Sequence, residues 1–481
     1  MLLDLDPIPI LLRRIRAELA DAFHADRPIR LSRAPGTLDV MGGIAEYTGS
    51  LVCRMTLDRA AVIAQQERTD RQLQIFSFNL LDDHKPFTLR MPLEALANNT
   101  AEVLRKEFAQ PGRSWAAHLA GCLHVLHERG LIDLCNPKIH GLNLAVLNTI
   151  PTDVGIGSSA AIQVATMMNL VDHFSLRDRL DPLLIADMCR SVENRIVGAS
   201  GGITAHIASC TGQAGSLVRV LCQPCELQRP LALPTGMRVI GIDSGVRPGS
   251  HGGQYAKTRC AAFMGHQIIL EKMREMGRAS SRILERDPMA GYLANLDSDD
   301  YKKFFRTYLP ESLKGGEFLI RHGRTIDTAT TISPDSHYPV RSATDHHVLD
   351  AMRVRHFVRF LEEAAALPSD SRERGAQLDK AGHLMYASHL SYTNDALLGE
   401  PECDLLVQLV RKRECAGLYG ARITGHGGGG IVAILAEDKP QADAALQEIM
   451  AEYERQSGKK PELFQGSSAG AWTTGTSVIN G

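Results

Sequence analysis

Apolar positions recur at helical spacing over residues 7–25, behind Pro7, and predict a helix there. From Ile29 to Met55 the pattern changes to strand and turn, broken by glycines at 36, 42, 43 and 49. Helical spacing returns over 113–129, around Trp115, Leu119, Leu123 and Leu126. Gly141–Leu147 is a short apolar strand, followed by PTDVGIGSSAAIQVATMMNL, a glycine-rich loop that runs into an alanine-rich helix. An amphipathic helix is predicted over 181–197, and strands over Ser216–Leu221 and Met237–Ile242. Two prolines and the loss of period between Leu227 and Gly236 mark a lobe boundary. Beyond it the chain is helix-rich from 256 to 410. A glycine loop with strand follows over Arg422–Leu435, then a helix over Gln441–Arg455 and a strand near Glu462. That order suggests an α+β lobe with a small antiparallel sheet.

The length of 481 residues suits two large lobes or roughly three domains. Hydrophobic residues are 44% and charged residues 22%, which excludes disordered, collagen-like and coiled-coil classes. Lys+Arg 53 against Asp+Glu 55 gives a net charge of -2, so no electrostatic argument favours nucleic acid or an anionic membrane as partner. Asp4 and Asp6 precede the first apolar stretch and the arginines follow it, the reverse of a secretory signal. No run approaches 18 apolar residues, and the expected setting is cytoplasmic. Cys222 and Cys225 have C-x-x-C spacing but lack a second ligand pair, so the cysteines read as reduced thiols rather than a zinc site.

Three glycine-rich segments carry the candidate chemistry. In Gly155-Ile156-Gly157-Ser158-Ser159-Ala160-Ala161 the glycines allow close backbone approach, and the helix that follows offers unpaired N–H groups. Together they make an anion site, most often for phosphate, although a tight turn with a serine cap fits the same residues. The pattern G-x-x-x-x-G-K-[ST] is absent, which excludes a P-loop NTPase. The second segment, Thr424-Gly425-His426-Gly427-Gly428-Gly429-Gly430, has five glycines in six residues directly before an apolar strand. Such a run is entropically expensive and points to a close backbone approach. The third is RAPGTLDVMGGIAEYTGSLV, where Asp39 and Glu46 stand among glycines and apolar residues; alone it also reads as a β-turn.

In this order and at these separations the three segments resemble the motifs of the GHMP kinases, over about residues 29 to 475. In chain order RAPGTLDVMGGIAEYTGSLV is the first motif, GIGSSAA the second and TGHGGGG the third; the first is similar to that of galactokinases and still more to that of L-arabinokinases. VENRIVGASGGITAHIASCTG, GIDSGVRPGSHGGQYAKTR, GHLMYASHLSYTND and FQGSSAGA resemble further family segments. The resemblance implies an α+β fold of two lobes: a ribosomal-protein-S5-like N-terminal lobe over 1–226 and a ferredoxin-like C-terminal lobe over 237–481. It implies ATP and Mg²⁺ as cofactors, a small-molecule sugar as substrate, and a monomer or homodimer.

Carried over residue by residue, the resemblance assigns Gly155, Gly157, Ser158 and Ser159 to the phosphate loop. Ser159 and Glu193 become Mg²⁺ ligands, and Trp115 either flanks the adenine or packs in the core. Gly425, Gly427, Gly428 and Gly429 close over phosphates and sugar, while Glu46, Tyr47 and Tyr255 contact the sugar. Two departures stand out. Thr37 replaces an arginine that galactokinases place near the transferred phosphoryl group. Ala205 replaces the catalytic aspartate, with His206 beside it. Gln163 for glutamate and Glu46 for aspartate are milder changes. His206, Asp39 and Asp153 are the candidates for a substitute base. Two functions therefore stand open: a sugar kinase acting on an anomeric or nearby hydroxyl, and a regulatory protein of the same fold that binds nucleotide or sugar without turnover.

Overall fold

The computed structural model describes residues 6–199, 201–247, 252–279 and 287–480. Ser200 and residues 248–251, which fall in two of the segments quoted above, lie outside them. In chain order the strands are β1 Ile29–Met41, β2 Leu51–Glu67, β3 Gln72–Ser77, β4 Thr88–Pro92, β5 Leu142–Asn148, β6 Ser216–Leu221, β7 Glu226–Leu227 and β8 Leu231–Ala232. They continue with β9 Met237–Asp243, β10 Leu313–Lys314, β11 His337–Tyr338, β12 Leu418–Ile423, β13 Ile431–Glu437, β14 Glu462–Phe464 and β15 Thr476–Ile479.

The larger sheet runs β15-β1-β2-β5-β3-β4, and β6 joins it on β2 with β7 and β8 beyond. Its organiser is β2, whose 17 residues pair with β1, with β6 through Leu51–Met55 and with β5 through Ala61–Glu67. Alternate residues of β2 face opposite layers, as the two-residue period of a strand requires. Ala61 and Ile63 join the core with Val164 and Met168 of the helix Ser158–His173. Val62 and Ala64 pack with Leu11 and Ile15 of the helix Pro7–Glu18. That first helix is capped by Asp6, which accepts from the Ile8 N–H at 3.1 Å. It is shorter than its sequence pattern predicts. Leu19 and Phe23 keep the helical spacing and are buried, but they sit in turns beyond the last helical residue.

The second sheet runs β12-β13-β9-β14 and is antiparallel throughout. Along β13 the same alternation holds. Val432 and Ile434 pack with Leu406 and Leu446 of the helices Pro401–Arg411 and Pro440–Ser457, whereas Ile431 and Ala433 belong to the core shared with the first lobe. The helix Arg372–Asn394 lies close on β12 because Gly382 meets Gly420; a side-chain carbon at Gly420 would come within 2.4 Å of Gly382 Cα. The last strand, β15, pairs antiparallel with β1 from Ile29↔Ile479 to Ser32↔Thr476. The first sheet thus draws on residues from both ends of the sequence. All ten cysteines are free. No helix among the described residues is long and apolar enough to cross a membrane.

Two local irregularities position the chemistry. The β1–β2 register shifts between Pro35 and Thr37 and again between Asp39 and Met41. Such bulges re-aim side chains, and here Thr37 and Asp39 lie between the two. The predicted helix over 181–197 is an α-helix, Pro182–Ser191, capped by Asp181 and continued by a wide π-helical turn, Val192–Val197. π-turns are rare and concentrate at functional sites; this one holds Glu193.

Candidate active site

The loop between β5 and the helix Ser158–His173 takes left-handed backbone at Gly155 (φ 85°) and Gly157 (φ 72°). A side chain at Gly157 would start 2.8 Å from Thr37 Oγ1 and 3.8 Å from Ala205 Cβ, so Thr37 and Ala205 flank this glycine. No side chain caps the helix, which leaves its first-turn N–H groups to the adjoining cleft. The loop is clamped from below: the Thr37 N–H donates to the Ile156 carbonyl at 2.8 Å, and Asn148 Nδ2 donates to Ser158 Oγ at 2.7 Å. The cleft has a volume of about 960 Å³, and Gly155, Gly157, Ser158, Ser159 and Trp115 all line it. Trp115 packs one side on the core and donates from its indole N–H to the Gly112 carbonyl. Arg247, just beyond β9, reaches the same cleft from the second lobe.

Beside the loop, Ser159 Oγ donates to Glu193 Oε1 at 3.3 Å, and Gln163 Nε2 donates to Glu193 Oε2 at 2.5 Å. Glu193 is buried and has no Lys or Arg within ion-pair distance among the described residues; its nearest ring nitrogen is His118 Nδ1 at 3.8 Å. Burial holds the His118 pKa down against the pull of Glu193, so this imidazole brings no balancing charge at neutral pH. A buried carboxylate next to a hydroxyl, uncompensated by protein cations and bordering a phosphate-type loop, fits the oxygen donors that Mg²⁺ takes.

His206 faces away from this chemistry. Its Nε2 lies 2.7 Å from Gln163 Oε1, and its Nδ1 is buried with no side-chain partner among the described residues. Because Gln163 donates from Nε2 to Glu193, its Oε1 accepts, and His206 carries its hydrogen on Nε2. Burial pushes the His206 pKa down to about 3, too weak a base for proton abstraction near neutrality. Asp39 is likewise withdrawn. It is fully buried: Oδ1 accepts from the Gly43 N–H at 3.3 Å, while Oδ2 accepts from the Gly425 N–H at 2.9 Å and from Arg422 at 3.2 Å. Asp39 therefore joins the first glycine motif to the third instead of presenting a free lone pair. Asp153 is exposed in the loop at φ 62°.

The third motif is stapled to its own lobe. The Gly428 N–H donates to the Leu398 carbonyl at 2.8 Å, the Gly430 N–H to Val246 at 2.9 Å, and the Gly427 N–H to Thr424 at 3.2 Å. Neither Gly427 nor Gly428 lines the large cleft. A side chain at Gly427 would come within 2.5 Å of the Leu398 carbonyl, so this glycine is required for packing. By contrast, none of the described residues lies within 4 Å of the position a side chain would take at Gly425.

Between the first and third motifs stands a polar and aromatic wall. Tyr255 packs on His426 with ring centroids 4.5 Å apart and meets Tyr47 edge-on at 6.0 Å. The Tyr47 hydroxyl turns to His347 Nε2 at 2.8 Å, so Tyr47 offers its ring rather than its hydroxyl. Glu46 accepts at Oε2 from the Thr204 hydroxyl at 2.8 Å and at Oε1 from the Thr204 N–H at 3.4 Å. Gly202 makes room for that carboxylate: a side-chain carbon there would fall 2.0 Å from Oε1. Three neighbouring residues carry no motif in the sequence: Thr204 against Glu46, Arg247 in the cleft, and Arg54, whose Nε donates to Thr204 Oγ1 at 2.9 Å. Arg54 left a legible trace, a lone cation in the apolar run LVCRMTL.

Comparison with known proteins bears on the fold and the family. Residues 117–213 match the GHMP kinases N terminal domain and residues 374–455 the GHMP kinases C terminal. L-arabinokinase from Arabidopsis thaliana is 32% identical over 507 aligned positions, which take in 95% of this chain and 47% of that protein. The chain thus spans about half the length of that relative. A galactokinase from Chloroflexus aggregans is 26% identical over 91% of this chain and 92% of its own. Among solved structures, galactokinase from Lactococcus lactis, determined with galactose, superposes with a TM-score of 0.69 at 18% identity, covering 95% of this chain and 98% of that one. Mevalonate kinase from Methanococcus jannaschii gives 0.53 at 14% identity, covering 91% and 98%. With both family domains in order and the two-lobed α+β architecture in common, the chain belongs to the GHMP kinase superfamily.

Proposed function

We propose that the chain is an ATP- and Mg²⁺-dependent sugar kinase of the galactokinase and arabinokinase type, acting on the anomeric hydroxyl of an arabinose- or galactose-like sugar. One observation carries the reading: the uncapped helix N-terminus behind Gly155 and Gly157, with Ser159 and the uncompensated Glu193 beside it, opens into a cleft of nucleotide size. Ser159 and Glu193 would hold Mg²⁺, which when bound supplies positive charge to the phosphate oxygens. The wall of Glu46, Tyr47, Tyr255 and Gly425 suits a small polyol, with a carboxylate for its hydroxyls and aromatic faces for its C–H surface. In the transfer the bond from the terminal phosphorus to the ADP oxygen breaks and the bond to the sugar oxygen forms. The hydroxyl proton is given up to water. Positioning and charge do most of the work in such a reaction.

A second reading, a protein of this fold that binds nucleotide or sugar and regulates, draws on Ala205. It puts a methyl group beside Gly157 where galactokinases have their aspartate. ADP release measured with ATP, Mg²⁺ and a panel of L-arabinose, D-galactose, other neutral sugars and uronic acids separates the two. Release with a neutral sugar is expected. Nucleotide binding without release on any sugar would favour the regulator.

A further inference from the structure

We propose that Arg54 supplies the positive charge that faces the terminal phosphoryl group of the nucleotide, an inference that rests on the kinase reading above. Arg54 lies on β2 with both sequence neighbours buried, and its side chain is half-buried. Two hydroxyls hold it. Nη1 donates to Thr37 Oγ1 at 3.3 Å, and Nε donates to Thr204 Oγ1 at 2.9 Å. Thr37 is the residue whose N–H clamps the Ile156 carbonyl and whose hydroxyl borders Gly157. The guanidinium therefore stands directly behind the phosphate loop.

The charge itself is unanswered. Among the described residues no Asp or Glu oxygen comes within ion-pair distance of Arg54, although this chain pairs its arginines widely. The nearest carboxylate interaction is indirect: the Thr204 hydroxyl accepts from Arg54 and donates to Glu46 Oε2 at 2.8 Å. That relay fixes the guanidinium plane and spaces it from Glu46, the residue on the sugar side. A half-buried arginine oriented by neutral hydroxyls, with donors left over at the seam between a phosphate-type loop and a sugar-type wall, is built for an anion that arrives with the ligand. The terminal phosphoryl group is the anion that passes through that seam. Arg54 makes the charge interaction; Thr204 and Thr37 are positioning residues.

Calorimetry with MgADP and with the magnesium complex of β,γ-methylene-ATP, on wild type, Arg54→Gln and Arg54→Lys, tests this. Arg54→Gln should lose about 10- to 100-fold in affinity for the triphosphate analogue, the range of one charge-assisted hydrogen bond, with MgADP unchanged. Arg54→Lys, which keeps the charge without the fork, should recover part of the loss and guards against a folding artefact. Equal losses on both nucleotides, or none on either, would overturn the proposal. So would unchanged nucleotide affinities with weakened D-galacturonate binding, which would assign Arg54 to a sugar carboxylate. The kinase reading fails separately: if Arg54→Gln shows the triphosphate-specific loss while the wild type fails to release ADP with any of the sugars, Arg54 keeps its place and the sugar kinase is removed.

Discussion

Asp39 and Arg422 form an ion pair at 3.2 Å in which neither side chain has any solvent exposure. One comes from the bulged strand of the first lobe and the other from the strand that leads into the third glycine motif. Burial opposes the charge on Arg422, but Asp39, Tyr392 and Asp350 outweigh it and raise its pKa further. The pair is incompletely satisfied, since Arg422 Nε and Nη2 have no hydrogen-bond partner among the described residues. Removing one member should therefore cost far more than removing both. Asp39→Ala is expected to destabilise by about 3–5 kcal/mol in chemical denaturation, and Asp39→Ala with Arg422→Met by much less. Equal losses would show that the pair is no energetic unit.

Acid should find His206 early. An unfolded imidazole titrates near 6.5 and the folded one near 3, so between those values the unfolded state binds more protons. The contribution of His206 is complete above about pH 6.5 and declines as pH falls towards 3, by roughly 1.4 kcal/mol per pH unit in that window. His206→Gln keeps an amide for Gln163 and has nothing to protonate. Its stability should fall less steeply than that of wild type between pH 6 and pH 4. Parallel curves would refute the assignment.

Nucleotide binding should report on the metal site. ATP with Mg²⁺ at about 100 times Kd stabilises by about 2.7 kcal/mol through mass action. Glu193→Ala and Ser159→Ala should each shrink the resulting shift in Tm, with the Mg²⁺-dependent part lost in Glu193→Ala. A shift that keeps its full magnesium dependence in Glu193→Ala would place the metal elsewhere.

A guanidinium moved from β2 to β1 provides the sharpest kinetic comparison. Thr37→Arg in the wild type crowds a second cation against Arg54, 3.3 Å from the present hydroxyl, and should lower kcat. In an Arg54→Gln background the same change restores a cation beside Gly157 and should raise kcat above that of Arg54→Gln alone. Additive losses in steady-state kinetics would count against a shared position.

Much of this arrangement is legible in the residues themselves. Gly155, Gly157 and the serines announce a loop before a helix, and the structure lines one cleft with them and Trp115. The wall of Tyr47 and Tyr255 is visible only as two tyrosines far apart in sequence, which the family resemblance brings together. The errors have physical causes. His206 and Asp39 are the right chemical types for a base, but sequence carries no measure of burial, and both side chains are engaged inside the protein. The strands β3, β4 and β15 escape because their alternation is short and mixed with polar residues. Arg54 shows in the sequence only as a lone cation in an apolar run; its meaning comes from two threonines 17 and 150 positions away.

The pairing of β15 with β1 has a consequence for dissecting the molecule. A fragment that stops near Gly236 would lack Thr476–Ile479 and leave Ile29–Ser32 as a bare margin with four residues open to pairing. Unprotected sheet margins recruit other chains. The first half of the sequence, expressed alone, should therefore self-associate through that margin, and a version with 471–480 joined back through a flexible linker should not.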